Sequence, residues 1–308
     1  MISANFPVDE DGRTYHVGLK RGEVCNRIIT VGDPERARKL AQLLDQTQPP
    51  FTLLSHRGFY TVTGTYQGVP VSIVAIGMGM AMMDFFVREI RAVVDGPMAI
   101  LRLGSCGSTD VAGVGDIIVP TEAVAVTRHY DYFQNPTASE DKPYHISLPV
   151  TADATLVSGV MARLSALVGT EHVHSGLNAT CDSFYSSQGR DDANFIDANE
   201  KVLSHLKTVY PQLVSLEMET FMLYHLARTA QPLVLPQGQQ SSIHAAAAMM
   251  VFADRTKNQF ISKAQVDNIE AKVGGAILDA LIQYDLGTAE SLHPSKGSVW
   301  ETGVQRVN

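Results

Sequence analysis

Charge is scarce in this chain of 308 residues: Asp, Glu, Lys and Arg together make up 18%, against roughly 25% in an average globular protein. Hydrophobic residues reach 45%, so a disordered polyampholyte is excluded and a buried core is expected. Positive charge is the scarcer sign. With 24 Lys and Arg against 32 Asp and Glu, the formal charge is -8, which argues against a surface built to neutralise a nucleic-acid backbone. An anion bound here is expected to be small. Cysteine is also nearly absent: Cys25, Cys106 and Cys181 lie far apart with no CxxC spacing. That spacing supports neither a zinc site nor a redox pair, so no metal is assigned and a reducing compartment is expected. No apolar run reaches the ~18 residues that span a bilayer. The N-terminus carries Asp9, Glu10 and Asp11 instead of a basic and then apolar leader, and a cytoplasmic protein without membrane contact follows as the expectation. The P-loop pattern and a GxGxxG followed by a ribose-binding acid are missing too, which narrows the nucleotide readings.

What is present alternates between strand and helix signals. RIITV (27–31) stops at Gly32-Asp33-Pro34 and passes into a helix over 35–44. Segments 59–66 and 69–76 read as a hairpin, and Gly77-Met78-Gly79 opens a second helix. Met98 to Leu103 reads as a strand covered on both faces, ending in a glycine-rich turn, Gly104-Ser105-Cys106-Gly107. Further strands are expected over 116–126, 175–180 and 245–252, and further helices over 152–167, 195–209, 220–228 and 262–282. The pattern predicts an α/β fold of three layers, α/β/α, around a central mixed sheet, in one domain spanning 1–308. Residues 1–13 and 287–308 are expected to be loosely attached, and 235–242 to form a surface loop.

Three places carry chemistry. In the turn Gly32-Asp33-Pro34-Glu35-Arg36, an N-cap aspartate and a proline at the first helical position make a helix start at which backbone N–H groups and Arg36 can hold a phosphate. Alone, it is also an ordinary capped helix. Arg102 is the odd residue of its apolar strand, because a guanidinium placed there needs an anion or a carboxylate. Glu217-Met218-Glu219 puts two carboxylates on opposite faces of an extended segment just before a helix, one free to face a pocket and bind sugar hydroxyls, the other held by the scaffold. Helix-start acids favoured by the dipole would look the same.

Together with Tyr15 to Leu19, His56-Arg57 and CDSFYSSQGR (181–190), these segments resemble the nucleoside phosphorylase family, in order and spacing, over roughly Thr14 to Tyr284. Gln188 and Arg190, two residues apart after an aromatic, match the family's pyrimidine-specific members. The chemistry is intelligible: an amide offers a donor and an acceptor to the uracil edge, a guanidinium donates to a carbonyl, and Phe184 offers a face for stacking.

The resemblance implies phosphorolysis of uridine to uracil and ribose 1-phosphate, without a cofactor. It places phosphate on Gly32, Arg36, Arg102 and Ser105, with Arg57 entering from a neighbouring subunit. Glu219 would hold the ribose hydroxyls over Met218, and His16 would reach the 5′-hydroxyl, also across a subunit boundary. Gln188 and Arg190 would hold the base, with Arg255 behind them. Arg102, Glu219, Gln188 and Arg190 are the candidate catalytic set, and at least a homodimer, or a hexamer built from dimers, is implied. Ser105 and Cys106 stand where bacterial relatives carry threonines. Asp254 stands where pyrimidine enzymes carry asparagine, and an aspartate in this neighbourhood protonates the leaving base in purine-specific relatives. A purine phosphorylase, a nucleosidase using water, and a non-catalytic storage or binding protein therefore remain as alternatives.

Overall fold

The computed structural model describes residues 3–134, 142–235, 238–240 and 242–301. In chain order, β1 (Arg27–Val31) leads into α1 (Pro34–Ala41), and β2 (Phe51–Leu54), β3 (Tyr60–Tyr66) and β4 (Val69–Ala75) form an antiparallel meander. Then come α2 (Met80–Val93), β5 (Met98–Ser108), β6 (Ile117–Arg128), α3 (Tyr130–Gln134), β7 (Tyr144–Ile146), β8 (Val150–Thr151), α4 (Ala154–Val168) and β9 (Val173–Cys181). They are followed by α5 (Val202–Val209), β10 (Leu213–Glu217), α6 (Thr220–Thr229), β11 (Leu233–Leu235), β12 (Gly238–Gln240), β13 (Ile243–Asp254), β14 (Gln259–Phe260) and α7 (Lys263–Gln283).

One mixed sheet organises these elements, and β5 is its branch point. Along one edge β5 pairs in parallel with β13 from Met98 to Ser108. Along the other it pairs in parallel with β1 as far as Leu103, and at Gly107 and Ser108 it takes β10 antiparallel instead. Because β13 also pairs with β6, β6 with β9, and β9 with β10, five strands close on themselves. The meander extends the sheet from β1. Side chains alternate between two cores. Ile29, Leu101, Leu103, Ala246 and Ala248 belong to the core that includes residues of α1, α4 and α7, whereas Ile28, Ile100, Ala245 and Ala247 belong to the one that includes residues of α2 and α6. This gives the three layers expected, with strands that read as continuous apolar runs because both faces are covered.

Four expectations change. The glycine-rich stretch 104–107 is strand, not turn, since both of its edges find ladder partners. The helix expected over 195–209 begins only at Val202. The residues before it serve a loop instead, with Ala198 at φ 47° and the Asn199 side chain donating to the carbonyls of Ser186 and Arg190. Part of the loop expected over 235–242 is a two-stranded ribbon, β11 with β12, while 236, 237 and 241 lie outside the described residues. Of the tail expected to be loose, 287–301 is held in place, and 302–308 lies outside the described residues. The Trp300 side chain is buried, His293 N–H donates to Asn26 Oδ1 at 2.9 Å, and Val299 N–H donates to Gly22 O at 2.7 Å. A single aromatic anchor does what the Ser- and Gly-rich composition hid.

Candidate active site

The C-terminal end of β1, the middle of β5, the end of β10 and the start of α6 converge on a cleft of about 180 Å³. Nine of the twelve expected site residues line it: Gly32, Arg36, Arg102, Ser105, Phe184, Gln188, Arg190, Met218 and Glu219. A larger hollow of about 590 Å³ between α3, β7 and α5 contains none of them. Convergence of charged groups, not volume, marks the functional site.

Arg102 lies at the centre, 4% exposed. Its Nε donates to Glu217 Oε2 at 3.2 Å and its Nη2 to Glu219, so the two carboxylates meet on one guanidinium, where opposite faces were expected. The reason is local: β10 ends at Glu217, and Glu219 is already the N-cap of α6, so the turn between them swings both side chains to the same side. Glu217 is the scaffold-held acid. It accepts from Asn178 Nδ2 at 2.7 Å, from Thr180 Oγ1 at 2.5 Å and from the N–H groups of Glu219 and Thr220. Burial works against its charge, but Arg102 and these donors outweigh it and hold its pKa below the ordinary value. Glu219 is pushed the other way, first by burial and then by Glu217, despite Arg102 and the N–H of Gly79. Gly79 sits at φ 98°, a conformation open to glycine, and aims the start of α2 at this carboxylate. Glu219 is thus the more easily neutralised of the two.

The guanidinium is laid over Gly104, where an added Cβ would stand 2.7 Å from its central carbon. Glycine at this position is what lets a charged side chain fold across a strand. Arg36, expected from the first turn of α1, lines the same end of the cleft and donates from Nε to Glu270 Oε1 at 2.8 Å. Asp33 caps the helix by accepting from Arg36 N–H at 2.9 Å. Ser105 also lines the cleft.

The opposite end is built by loops. Gln188 is 2% exposed, and Arg190 lies with its guanidinium 3.9 Å from the centroid of the Phe184 ring. Burial, and then repulsion from Arg255, push the Arg190 pKa down to about 10, which leaves it charged at neutral pH. Arg255 is behind the wall, as expected, donating to the carbonyls of Gln188 and Gly189 at 3.1 and 3.3 Å. Asp254 does not line the cleft. Its Oδ1 accepts from Thr256 N–H, Thr256 Oγ1 and Lys257 N–H, and Lys257 Nζ lies 3.1 Å from Oδ2. Burial works against its charge, yet the donors hold its pKa down at about 2. It is the anchor of the β13–β14 turn.

His16 and Arg57 line no part of their own chain's cleft. They flank Tyr15, with Arg57 Nη2 donating to the Tyr15 hydroxyl at 3.2 Å and the His16 ring edge-on to it at 4.9 Å. Sequence reasoning did not place Met78, Phe252 and Phe260 in the lining or make Glu217 the partner of Arg102. Phe260 arrives through a turn with Asn258 at φ 51°, which no motif announces.

This arrangement sets two arginines and a carboxylate at one end of the cleft and an amide–guanidinium pair at the other, a polar layout that suits a small anion and a polar organic ligand side by side. The sequence profile of the phosphorylase superfamily matches residues 26–283, and the chain belongs to that superfamily. It is 27% identical to the uridine phosphorylase of Thermococcus kodakarensis, over 99% of this chain and 98% of that one. It is 29% identical to the DeoD-type purine nucleoside phosphorylase of Oceanobacillus iheyensis, over 70% of this chain and 80% of the relative. A solved structure from work on two uridine phosphorylases of the oomycete Phytophthora capsici is 41% identical, covers 91% of this chain and 97% of its own, and superposes with a TM-score of 0.84.

Proposed function

We propose that this chain is a pentosyltransferase that cleaves uridine with inorganic phosphate, giving uracil and ribose 1-phosphate. The observation that carries the reading is the base end of the cleft: Gln188 and Arg190 face it beside Phe184, while Asp254 is consumed by a turn. An amide and a guanidinium suit the carbonyl and imide edge of uracil. A purine site of the kind that protonates its leaving base would need a carboxylic acid beside the base, and Asp254 lies outside the cleft lining with its charge held by the donors of its turn.

In the reaction the C1′–N1 bond breaks, its electron pair goes to uracil, and a phosphate oxygen bonds to C1′. Arg36 and Arg102 hold phosphate against the anomeric carbon, where its charge offsets the positive charge developing on the sugar. Glu219 turns from Arg102 to the ribose hydroxyls, and Arg190 and Gln188 take up the negative charge arriving on the base, so their contacts are stronger in the transition state than in the ground state. The transfer is redox-neutral and balances without a cofactor. His16 and Arg57 serve the cleft of a second copy of the chain, a reading supported by their absence from their own cleft, and at least a dimer is required. Assembly of dimers into a hexamer is compatible with this. No helix among the described residues is long and apolar enough to cross a membrane; a cytoplasmic location is supported by three buried, unpaired cysteines.

The test is a phosphate-dependent fall in uridine absorbance. Loss of uridine without phosphate would make the chain a nucleosidase, and binding without turnover a storage protein. A higher kcat/KM for inosine than for uridine would place it on the purine branch. Asp254→Asn should leave the uridine preference unchanged, because the side chain acts on the turn.

A further inference from the structure

Glu89 is a buried carboxylate, 6% exposed, that the reaction as described does not use. It projects from α2 one turn beyond Phe85, and His16 lies against both residues. The imidazole stacks on the Phe85 ring at 4.0 Å, with 26° between planes. Its Nδ1 lies 2.6 Å from Glu89 Oε1, and the N–H groups of His16 and Val17 also donate to the same carboxylate, at 3.1 and 2.7 Å. An ionised carboxylate only accepts, so with Glu89 ionised the proton between the two side chains belongs to Nδ1. Nε2 then carries a lone pair, and no described residue hydrogen-bonds to it.

We propose that Glu89 is a positioning residue: it fixes the ring and tautomer of His16 so that Nε2 accepts a hydrogen bond from the 5′-hydroxyl of a nucleoside bound in a second copy's cleft. This rests on the reading of His16 given above and adds the group that makes the histidine an acceptor. Three donors on one carboxylate and an aromatic plate beneath the ring leave the imidazole a single orientation. An isosteric amide breaks the arrangement, since it must turn its NH2 toward one of three donors. When that donor is Nδ1, the proton moves to Nε2 and the acceptor is lost.

The experiment compares kcat/KM for uridine with that for 5′-deoxyuridine in the wild type, Glu89→Gln and His16→Ala. The uridine to 5′-deoxyuridine ratio should fall roughly tenfold in each variant, the scale of one hydrogen bond. The double variant should fall no further than His16→Ala alone. A Glu89→Gln protein that loses activity equally on both substrates would make the carboxylate merely structural and overturn the proposal. An unchanged ratio in His16→Ala would instead overturn the reading of His16, which separates the two failures. The wild type gives an independent check: imidazole nitrogen shifts of His16 should show the Nδ1–H tautomer at neutral pH. The Nε2–H tautomer, or a doubly protonated ring, would refute the assignment even if Glu89→Gln does not fold.

Discussion

Replacing Arg190 by alanine separates leaving-group stabilisation from fold stability more sharply than any other change at the site. The guanidinium sits over Phe184, its Nε is buried with no hydrogen-bond partner among the described residues, and Arg255 repels it. The loop around it is held by other means, through Asn199 to the carbonyls of Ser186 and Arg190 and through Arg255 to those of Gln188 and Gly189. Truncation therefore removes an unfavourable group from a braced loop, and Tm should stay level or rise. In the transition state proposed above the same group faces a departing uracil anion, and losing one charge-assisted hydrogen bond costs about 2–4 kcal/mol. That corresponds to about a 30- to 1,000-fold fall in kcat/KM for uridine. Steady-state absorbance assays with uridine and 5-fluorouridine complete the test. The fluorinated base is the better leaving group and leans less on Arg190, so its loss should be smaller. Equal losses on the two nucleosides, or a fall in Tm that accounts for the lost activity, would refute the assignment.

Three further outcomes are expected. Gly104→Ala puts a Cβ 2.7 Å from the Arg102 guanidinium; it should raise the KM for phosphate at least about tenfold with little change in circular dichroism, since a misplaced guanidinium forfeits its charged hydrogen bonds. Arg57 lies beside Tyr15 and off its own cleft. Mixing an inactive Arg57→Ala chain with an inactive Glu219→Ala chain should therefore recover up to about a quarter of wild-type activity, because half the dimers are mixed and each holds one intact site; a purified heterodimer that stays inactive would sink the shared-site reading. Asp153 accepts from His244 Nδ1 and the Tyr284 hydroxyl at 2.9 Å, and although burial opposes it these bonds hold its pKa at about 2. Its folded value lies below the unfolded one near 4, so its contribution of at most about 2–3 kcal/mol is present above about pH 5 and fades as pH falls toward 2. Acid titrations of the wild type and Asp153→Asn should converge at low pH.

Apolar runs and capping residues were enough to read β1, α1, the β3–β4 hairpin, α2, α4 and α7 in the sequence, because each announces itself locally. Strand identity across Gly104 to Gly107 was not legible, since it is decided by which strands lie alongside, and glycine-rich sequence is ambiguous until they do. The site divides the same way. Gly32, Arg36, Arg102, Glu219, Gln188 and Arg190 sit in recognisable segments, and the cleft gathers them. The convergence of Glu217 and Glu219 on one arginine depends on a two-residue turn, and the engagement of Asp254 depends on four donors from its own hairpin. Neither is a property of spacing.

The branching of β5 also has a bearing on how such an enzyme can diversify. The proposed phosphate end of the cleft is attached to a strand hydrogen-bonded along both edges, and Arg102 itself is in register with Thr30 on one side and Ala247 on the other. The proposed base end rides on a short loop and a two-residue strand that meets the sheet along one edge. Mutation can therefore explore loop and hairpin at small risk to the fold while the reaction with phosphate is inherited intact. A lineage built this way is expected to change nucleobase far more readily than chemistry, and pyrimidine and purine phosphorylases both appear among the relatives of this chain.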